Sequence, residues 1–451
     1  MRILIIGGGA AGGTAAQFAR KTDRKAEIIV VDAEPYGQYS RCGLPYALRG
    51  QTSAERLIEF SHEWFEKNRI KAMYGWKAVS VDFNSKAVSL KKGEEIQDME
   101  YDKLIIATGA RPWAPPIKGI ESEGVFFLRT IDDLKMVSEW VERAEKAVIV
   151  GAGLIGLESA ESLVKMGKSV YVVEFLPYPL PAMIDEDMAS TVKDLLDKNG
   201  IVSYLSHEVT EIIGDPVKAV KIRDRDGNER EIEADMVLIS TGNSPNTEIF
   251  KGIEKGRKGH IRVSERSETS IPDVYAAGDC TEYLDFITGE WVPMGMGTMA
   301  VRQGMAAGIN AAGGDFEIHR FIGTRTTELF GVEIAAVGPI SEALKRKGMD
   351  FISARFKGKD LPEYMDYRDM VVKVISDMEG RIMGTQIIGR GAPWRISMFA
   401  EAILKRDYVG ELSKIETPYA PPIAPTLDPT TIACSMLEMK LKSKKMKGKR
   451  E

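Results

Sequence analysis

Short apolar runs that stop at glycine, each followed by a stretch suited to a helix, recur along this chain. Arg2-Ile3-Leu4-Ile5-Ile6 runs into Gly7-Gly8-Gly9-Ala10-Ala11-Gly12, and a helical stretch separates that loop from Ile28-Ile29-Val30-Val31-Asp32. The unit returns as Lys146-Ala147-Val148-Ile149-Val150, then Gly151-Ala152-Gly153-Leu154-Ile155-Gly156, then Val170-Tyr171-Val172-Val173-Glu174. Each reads as strand, glycine turn, helix, strand.

Two more apolar runs end alike, Lys103-Leu104-Ile105-Ile106-Ala107-Thr108-Gly109 and Met236-Val237-Leu238-Ile239-Ser240-Thr241-Gly242. A third, Val274-Tyr275-Ala276-Ala277-Gly278-Asp279, closes on Gly-Asp. Small residues at a strand end let the backbone pass close to a ligand. After residue 325 the apolar positions alternate (Ile334, Ala336, Val337, then Met370 to Ile375 and Ile382 to Ile388), which predicts an antiparallel sheet with helices. Thr417-Pro418-Tyr419-Ala420-Pro421-Pro422 can continue neither a helix nor a central strand. Residues 439–451, with the basic run from Lys440 to Arg450, are expected to form a solvated, flexible tail.

The two glycine loops carry the first chemistry. In each, the first glycine permits the tight turn, the second lets the backbone approach a pyrophosphate, and the third allows close helix–strand packing. The phosphate then sits at the positive end of a helix. Asp32 and Glu174, about twenty positions on, are placed to accept hydrogen bonds from adenosine ribose hydroxyls.

Composition narrows the picture. A chain of 451 residues should split into two or three domains, and 44% hydrophobic with 28% charged residues is ordinary for a globular protein. A formal charge of −5 gives no electrostatic reason to expect nucleic acid. No apolar run reaches the ~20 residues of a membrane span, and a strand beginning at Arg2 leaves no room for a leader, so a cytoplasmic protein is expected. Three cysteines (Cys42, Cys280, Cys434) and four scattered histidines predict neither a disulfide framework nor a metal site.

Cys42 is isolated, in Tyr39-Ser40-Arg41-Cys42-Gly43-Leu44-Pro45-Tyr46, with no other cysteine within twenty residues. A redox enzyme with one active thiol must borrow its partner sulfur from a small molecule. Gly43 and Pro45 place the thiol just before or in the first turn of a helix, where the dipole is expected to lower its pKa. Cys280 and Cys434 read as packing residues.

Taken in order, these landmarks resemble the pyridine nucleotide–disulfide oxidoreductases over about residues 1–435. The resemblance implies an α/β protein with two Rossmann-type domains, for FAD and NAD(P), and a C-terminal α+β dimerisation domain. The expected divisions are 1–112 and 246–320 for FAD, 113–245 for NAD and 321–438 for dimerisation. It implies FAD bound by Gly7, Gly9, Gly12, Asp32, Thr108, Gly109, Gly278 and Asp279. Gly151, Gly153, Ile155, Gly156, Glu174 and Gly242 would hold the nicotinamide dinucleotide, with Glu158 near the nicotinamide. Glu174, with no Arg or Lys over Phe175 to Leu180, favours NADH over NADPH, since a carboxylate repels a 2′-phosphate.

The cysteine context selects a branch. Position 47 is Ala47, so the internal dithiol of the glutathione and lipoamide reductases is excluded. The single-cysteine branch holds NADH oxidases and peroxidases, coenzyme A disulfide reductases and NADH-dependent persulfide reductases. Oxidases and peroxidases commonly carry a histidine in the first glycine loop, where this chain has Ala10-Ala11. Similarity to the coenzyme A-binding subset implies that Arg20 and Lys21 grip coenzyme A phosphates, that Ser40 and Arg41 lie in the pocket, and that Tyr419 faces the partner subunit's redox cysteine in a homodimer. Tyr364 or Tyr367 would be a second tyrosine there, and Arg302 is a further candidate. The expected oxidant is a persulfide, polysulfide or coenzyme A-linked disulfide. Coenzyme A disulfide reduction proper, oxygen reduction, electron transfer to a ferredoxin- or rubredoxin-like partner and redox sensing stand as alternatives.

Overall fold

The computed structural model describes residues 1–293 and 295–447. Its first sheet is parallel, in the order Val274–Ala276, Lys103–Ile106, Arg2–Ile6, Glu27–Asp32, Lys71–Tyr74. Ile3, Leu4, Ile5, Leu104, Ile105 and Ile106 are all fully buried, as an uninterrupted apolar run in a strand covered on both faces must be. Because the strands run parallel, the Gly7 loop, Thr108-Gly109 and Gly278-Asp279 emerge at one end of the sheet, the edge where such folds bind ligands.

A second parallel sheet repeats the plan in the order Val125–Phe126, Met236–Ile239, Lys146–Val150, Ser169–Glu174, Val202–Leu205. It brings the Gly151 loop, Glu174 and Thr241-Gly242 to one edge. The chain enters and leaves this unit side by side, since Ala110–Pro112 pairs antiparallel with Asn243–Pro245. Beside each parallel sheet lies a three-stranded antiparallel sheet, spanning 77–100 and 207–233, which the sequence pattern did not single out. Two of their strands, Glu95–Glu100 and Glu229–Glu233, are largely exposed and rich in charge, so the alternation there is faint.

The helix Gly297–Ala311 packs on the first glycine-loop helix, Ala10–Thr22. Contact is backbone to backbone: a Cβ at Gly304 would stand 2.4 Å from the Ala11 carbonyl oxygen, and one at Gly308 2.3 Å from that of Ala15. The C-terminal unit is the antiparallel sheet expected after residue 325, in the order Arg325–Leu329, Val332–Val337, Ile382–Ile388, Asp369–Ser376, Ile352–Lys359. Helices Ala392–Lys405 and Pro429–Lys447 cover it around a core containing Phe399, Cys434 and Leu437.

The molecule is thus α/β, with two Rossmann-like parallel units and a C-terminal α+β unit. The expected tail at 439–451 is corrected in part: the last helix runs on to Lys447 and buries Leu441 against the sheet, while 448–451 lie outside the described residues. No helix among the described residues is long and apolar enough to cross a membrane.

Candidate active site

The two glycine loops test themselves for a bound dinucleotide. Gly7 sits at φ +103° and a Cβ there would strike the Ala107 carbonyl oxygen at 2.1 Å; one on Gly12 would lie 1.8 Å from the Gly7 oxygen. The fold itself demands these two glycines. Gly9 is different. Its backbone is extended, at φ −69°, and a Cβ would meet no protein atom within 4 Å. Gly153 repeats this at φ −78°, again with open space, whereas Gly156 packs on the Gly151 oxygen at 2.2 Å. Glycine at Gly9 and Gly153 is explained by close approach of something other than protein, and a pyrophosphate at the helix N-terminus fits both.

The acids are held in place. Asp32 accepts from the Gly8 (2.5 Å) and Glu34 (2.9 Å) amides, and Glu174 from those of Ala152 (2.7 Å) and Leu176 (2.8 Å). Each oxygen keeps a lone pair for a ribose hydroxyl. Thr108 and Asn246 bond each other's backbone carbonyls, which closes the crossing between the parallel units. Gly278, at φ +83°, donates its amide to the buried Gln303 side chain at 2.9 Å. Gly109, at φ +62°, faces the Arg129 guanidinium, which lies 2.7 Å from Asp279.

Cys42 lies in the middle of a three-residue 3₁₀ turn, Arg41–Gly43, followed by the short helix Leu44–Leu48. Ser162, on the helix Leu154–Lys165 that follows the second glycine loop, fixes that short helix by donating to the Pro45 carbonyl at 2.7 Å. The thiol is the accessible one, for Cys280 and Cys434 are buried. It opens into a cavity of about 300 Å³ lined by Tyr46, Glu158, Thr326, Thr327, Glu328 and Glu333 among others.

Here the expected pKa is corrected. The cavity walls desolvate the Cys42 thiol and push its pKa up; Glu158 and Asp279 add to the rise, and Arg129 opposes it. The following helix has five residues and begins beyond Gly43, too short and late to dominate. A long helix, Gly297–Ala311, starts close to the sulfur: a Cβ on Gly297 would stand 4.0 Å from Sγ.

Glu158 is buried on the helix Leu154–Lys165 and accepts a 2.7 Å hydrogen bond from the Thr327 hydroxyl. Burial drives its pKa up to about 7, against the Thr327 hydrogen bond. Glu161, one turn on, is fully buried but well paired: Arg49 lies at 3.1 Å, Lys165 at 2.5 Å, and the Phe330 amide donates to it.

The other expected residues scatter. Arg41 is tied to Glu34 (2.5 Å), to the Tyr39 hydroxyl and to the Arg129 carbonyl. Its neighbour Ser40 is half-buried at the head of the Cys42 turn. Arg20 is spent on the carbonyls of Asn68, Asp23 and Arg69, and Lys21 is exposed over the Phe18 ring. Arg302 is exposed on its helix. The Tyr364 and Tyr419 hydroxyls meet at 3.3 Å on an exposed face, whereas Tyr367 lies under Lys359. Of the two tyrosines considered beside Tyr419, it is Tyr364 that joins it. Arg129, Glu161, Gln303 and Thr327 escaped the sequence reading, and only Arg129 left a local trace, in the capping box Thr130/Asp133 that follows it.

Two family models match the chain: pyridine nucleotide-disulphide oxidoreductase over residues 1–306, and the dimerisation domain of the same family over 325–428. The chain belongs to this family. Among known proteins, the oxidoreductase is 36% identical to a Methanocaldococcus jannaschii protein named NADH oxidase, over 98% of this chain and all of that one. It is 30% identical to a Pyrococcus horikoshii NAD(P)H coenzyme A polysulfide/persulfide reductase, over 97% and 98%. A solved NAD-dependent persulfide reductase from A. fulgidus superposes with a TM-score of 0.93 at 33% identity, covering 98% of this chain and 84% of that one.

Proposed function

We propose that this oxidoreductase passes electrons from NADH through FAD and Cys42 to a persulfide, polysulfide or coenzyme A-linked disulfide. One observation carries the reading: a single accessible thiol opens into a cavity beside a protonatable carboxyl, and the other two cysteines are buried elsewhere. A lone thiol of this kind completes its cycle only with sulfur brought by the substrate. The named activities of the Pyrococcus and A. fulgidus relatives are of that class.

FAD, when bound, supplies the two-electron relay between nicotinamide and sulfur. It would lie along the Gly7 loop, with Asp32 at its ribose and Asp279 at its ribityl chain. NADH would lie along the Gly151 loop, with Glu174 at the adenosine ribose. Phe175 and Leu176 beside Glu174 are exposed and uncharged, which favours a 2′-hydroxyl over a 2′-phosphate. We assign 1–112 and 246–320 to FAD, 113–245 to NADH and 321–438 to a second copy of the chain. Of the basic pair, Lys21 is the cation open to a coenzyme A phosphate, with Arg20 bracing the helix end. In the homodimer, Tyr419 and Tyr364 would face the partner's thiol and orient the departing sulfur.

The Cys42 thiolate attacks the substrate's sulfur–sulfur bond, a mixed disulfide forms at Cys42, and a thiolate or hydrosulfide leaves. Anaerobic exposure of the reduced holoenzyme to coenzyme A disulfide, followed by peptide mass mapping, tests this. One coenzyme A adduct on Cys42 is expected; an adduct on Cys280 or Cys434, or none, would overturn the reading. The M. jannaschii relative's name keeps oxygen reduction as the second reading, and turnover that survives Cys42→Ser would favour it.

A further inference from the structure

The Cys42 turn and the short helix behind it are held at both ends. In front, the Ser40 amide donates to the Leu57 carbonyl at 2.9 Å, and a Cβ on Gly43 would meet the Leu57 side chain at 2.3 Å. At the back the tie is ionic. Arg49, which caps the helix Leu44–Leu48, lies 3.1 Å from Glu161 on the helix Leu154–Lys165, and both side chains are almost wholly buried. Among the described residues, Arg49 Nη1 and Glu161 Oε2 have no partner but each other. We propose that Arg49 and Glu161 are positioning residues for the thiol exchange: their buried pair sets how deeply the Cys42 turn stands in its cavity.

The inference rests on the reading of Cys42 as the nucleophile. Glu161 is a fixed post for the tie. Lys165 lies 2.5 Å from its other oxygen, and the Phe330 amide donates to that oxygen at 3.1 Å. Phe330 and Gly331 turn the hairpin between the strands Arg325–Leu329 and Val332–Val337, both at positive φ (50° and 78°). A bulky residue keeps that conformation only where its surroundings hold it there, and here the buried carboxylate takes its amide. The same hairpin gives Thr326, Thr327, Glu328 and Glu333 to the cavity. One buried anion thus anchors two of the elements that line it.

Arg49 spans the gap to that post. Its Nε and Nη2 donate to Gln51 Oε1 at 2.9 and 2.5 Å, which sets the plane of the guanidinium. The same group lies 4.8 Å from the centre of the Tyr46 ring, another residue lining the cavity. Ser162, next to Glu161, adds its bond to the Pro45 carbonyl at 2.7 Å. Leu44 and Leu48 already pack in one core with Leu157 and Ala160, so apolar burial joins the two helices without help. A buried ion pair adds little net stability over an apolar pair of the same volume. What a guanidinium and a carboxylate add is a set direction and distance. Thiol exchange needs both, for a displacement of about 1 Å can cost about 10²-fold in rate.

The test compares flavin-loaded wild type, Arg49→Met, the double variant Arg49→Met with Glu161→Gln, and Ser162→Ala. Arg49→Met alone strands a buried carboxylate and should lower the thermal midpoint. The double variant removes both charges, keeps an oxygen for the Phe330 amide, and should regain most of that loss. Its net charge at the pair is unchanged, and Glu158, Asp279, Arg129 and Glu59, the charges that act on the Cys42 thiol, are untouched in every variant. A loosened turn lets water reach the thiol, so the pH profile of Cys42 alkylation should move to lower pH in the double variant and in Ser162→Ala. Reoxidation of the NADH-reduced double variant by coenzyme A disulfide should slow by about 10²-fold relative to flavin reduction by NADH. An alkylation profile unmoved in both variants, or equal slowing of the two half-reactions, would overturn the assignment and leave the pair a role in stability alone. Reoxidation by coenzyme A disulfide that survives Cys42→Ser would instead sink the underlying assignment of the nucleophile.

Discussion

Single residues separate what the fold needs from what a ligand needs. Gly12 touches the Gly7 oxygen, and Gly9 touches nothing. Gly12→Ala should therefore lower the thermal midpoint of the flavin-free chain, an overpacking cost of about 1–3 kcal/mol. Gly9→Ala should leave that midpoint unchanged and cut bound FAD, read from visible absorbance. The reverse order would contradict a pyrophosphate at this loop. These glycines were legible because their spacing is local. Arg129 was not: its meaning is Asp279, 150 residues away, and only folding brings the two to 2.7 Å. The Cys42 pKa was misjudged for a related reason. The helix dipole can be read from neighbours in sequence, whereas the walls that desolvate the thiol, and after them the acidic side chains of Glu158 and Asp279, are assembled by tertiary structure.

Among the elements, the parallel strands announced themselves by unbroken apolar runs, and the charged antiparallel strands of 77–100 and 207–233 did not. The joint between the second parallel unit and the C-terminal sheet was equally hidden. Lys373, inside the apolar run from Met370 to Ile375, is buried and lies 2.7 Å from both Asp185 and Asp187. Asp185 also accepts from the amide and hydroxyl of Ser341, and its own amide donates to Gln386. Burial alone would raise the Asp185 pKa, but the bonds from Lys373 and Ser341 outweigh it and hold the carboxyl below its ordinary range. A depressed carboxyl pKa stabilises the fold above the unfolded value and ceases to do so as pH falls through the folded one. Lys373→Met, which strands Asp185, should cost about 3–5 kcal/mol at neutral pH. In thermal melts the gap from wild type should narrow on acidification below about pH 4. A gap constant with pH would mean that Lys373 acts through packing alone.

For the whole molecule, the exposed apolar face is the informative surface. Trp394 (83% exposed), Ile423 (77%) and Leu427 (68%) are large apolar side chains of the dimerisation domain left in water by a single chain, as is half of Tyr419. Such exposure is expected of a surface that a second copy covers. Ile423→Asp should yield a monomer by sedimentation that still binds FAD but has lost disulfide turnover. A fully active monomer would show that each active site is complete within one chain. The dimerisation unit was legible as an antiparallel sheet from its alternation. The meeting of Tyr364 with Tyr419, 55 residues apart, was legible only as a choice between Tyr364 and Tyr367.

The most direct measurement follows NADH oxidation anaerobically by stopped flow, with coenzyme A persulfide and coenzyme A disulfide as oxidants, for flavin-loaded wild type and Cys42→Ser. Rapid turnover of at least one sulfur substrate by the wild type, abolished in Cys42→Ser while flavin reduction by NADH persists, is the expected result. Absence of turnover with both, together with oxygen consumption in air that survives Cys42→Ser, would contradict a sulfur reductase acting through Cys42.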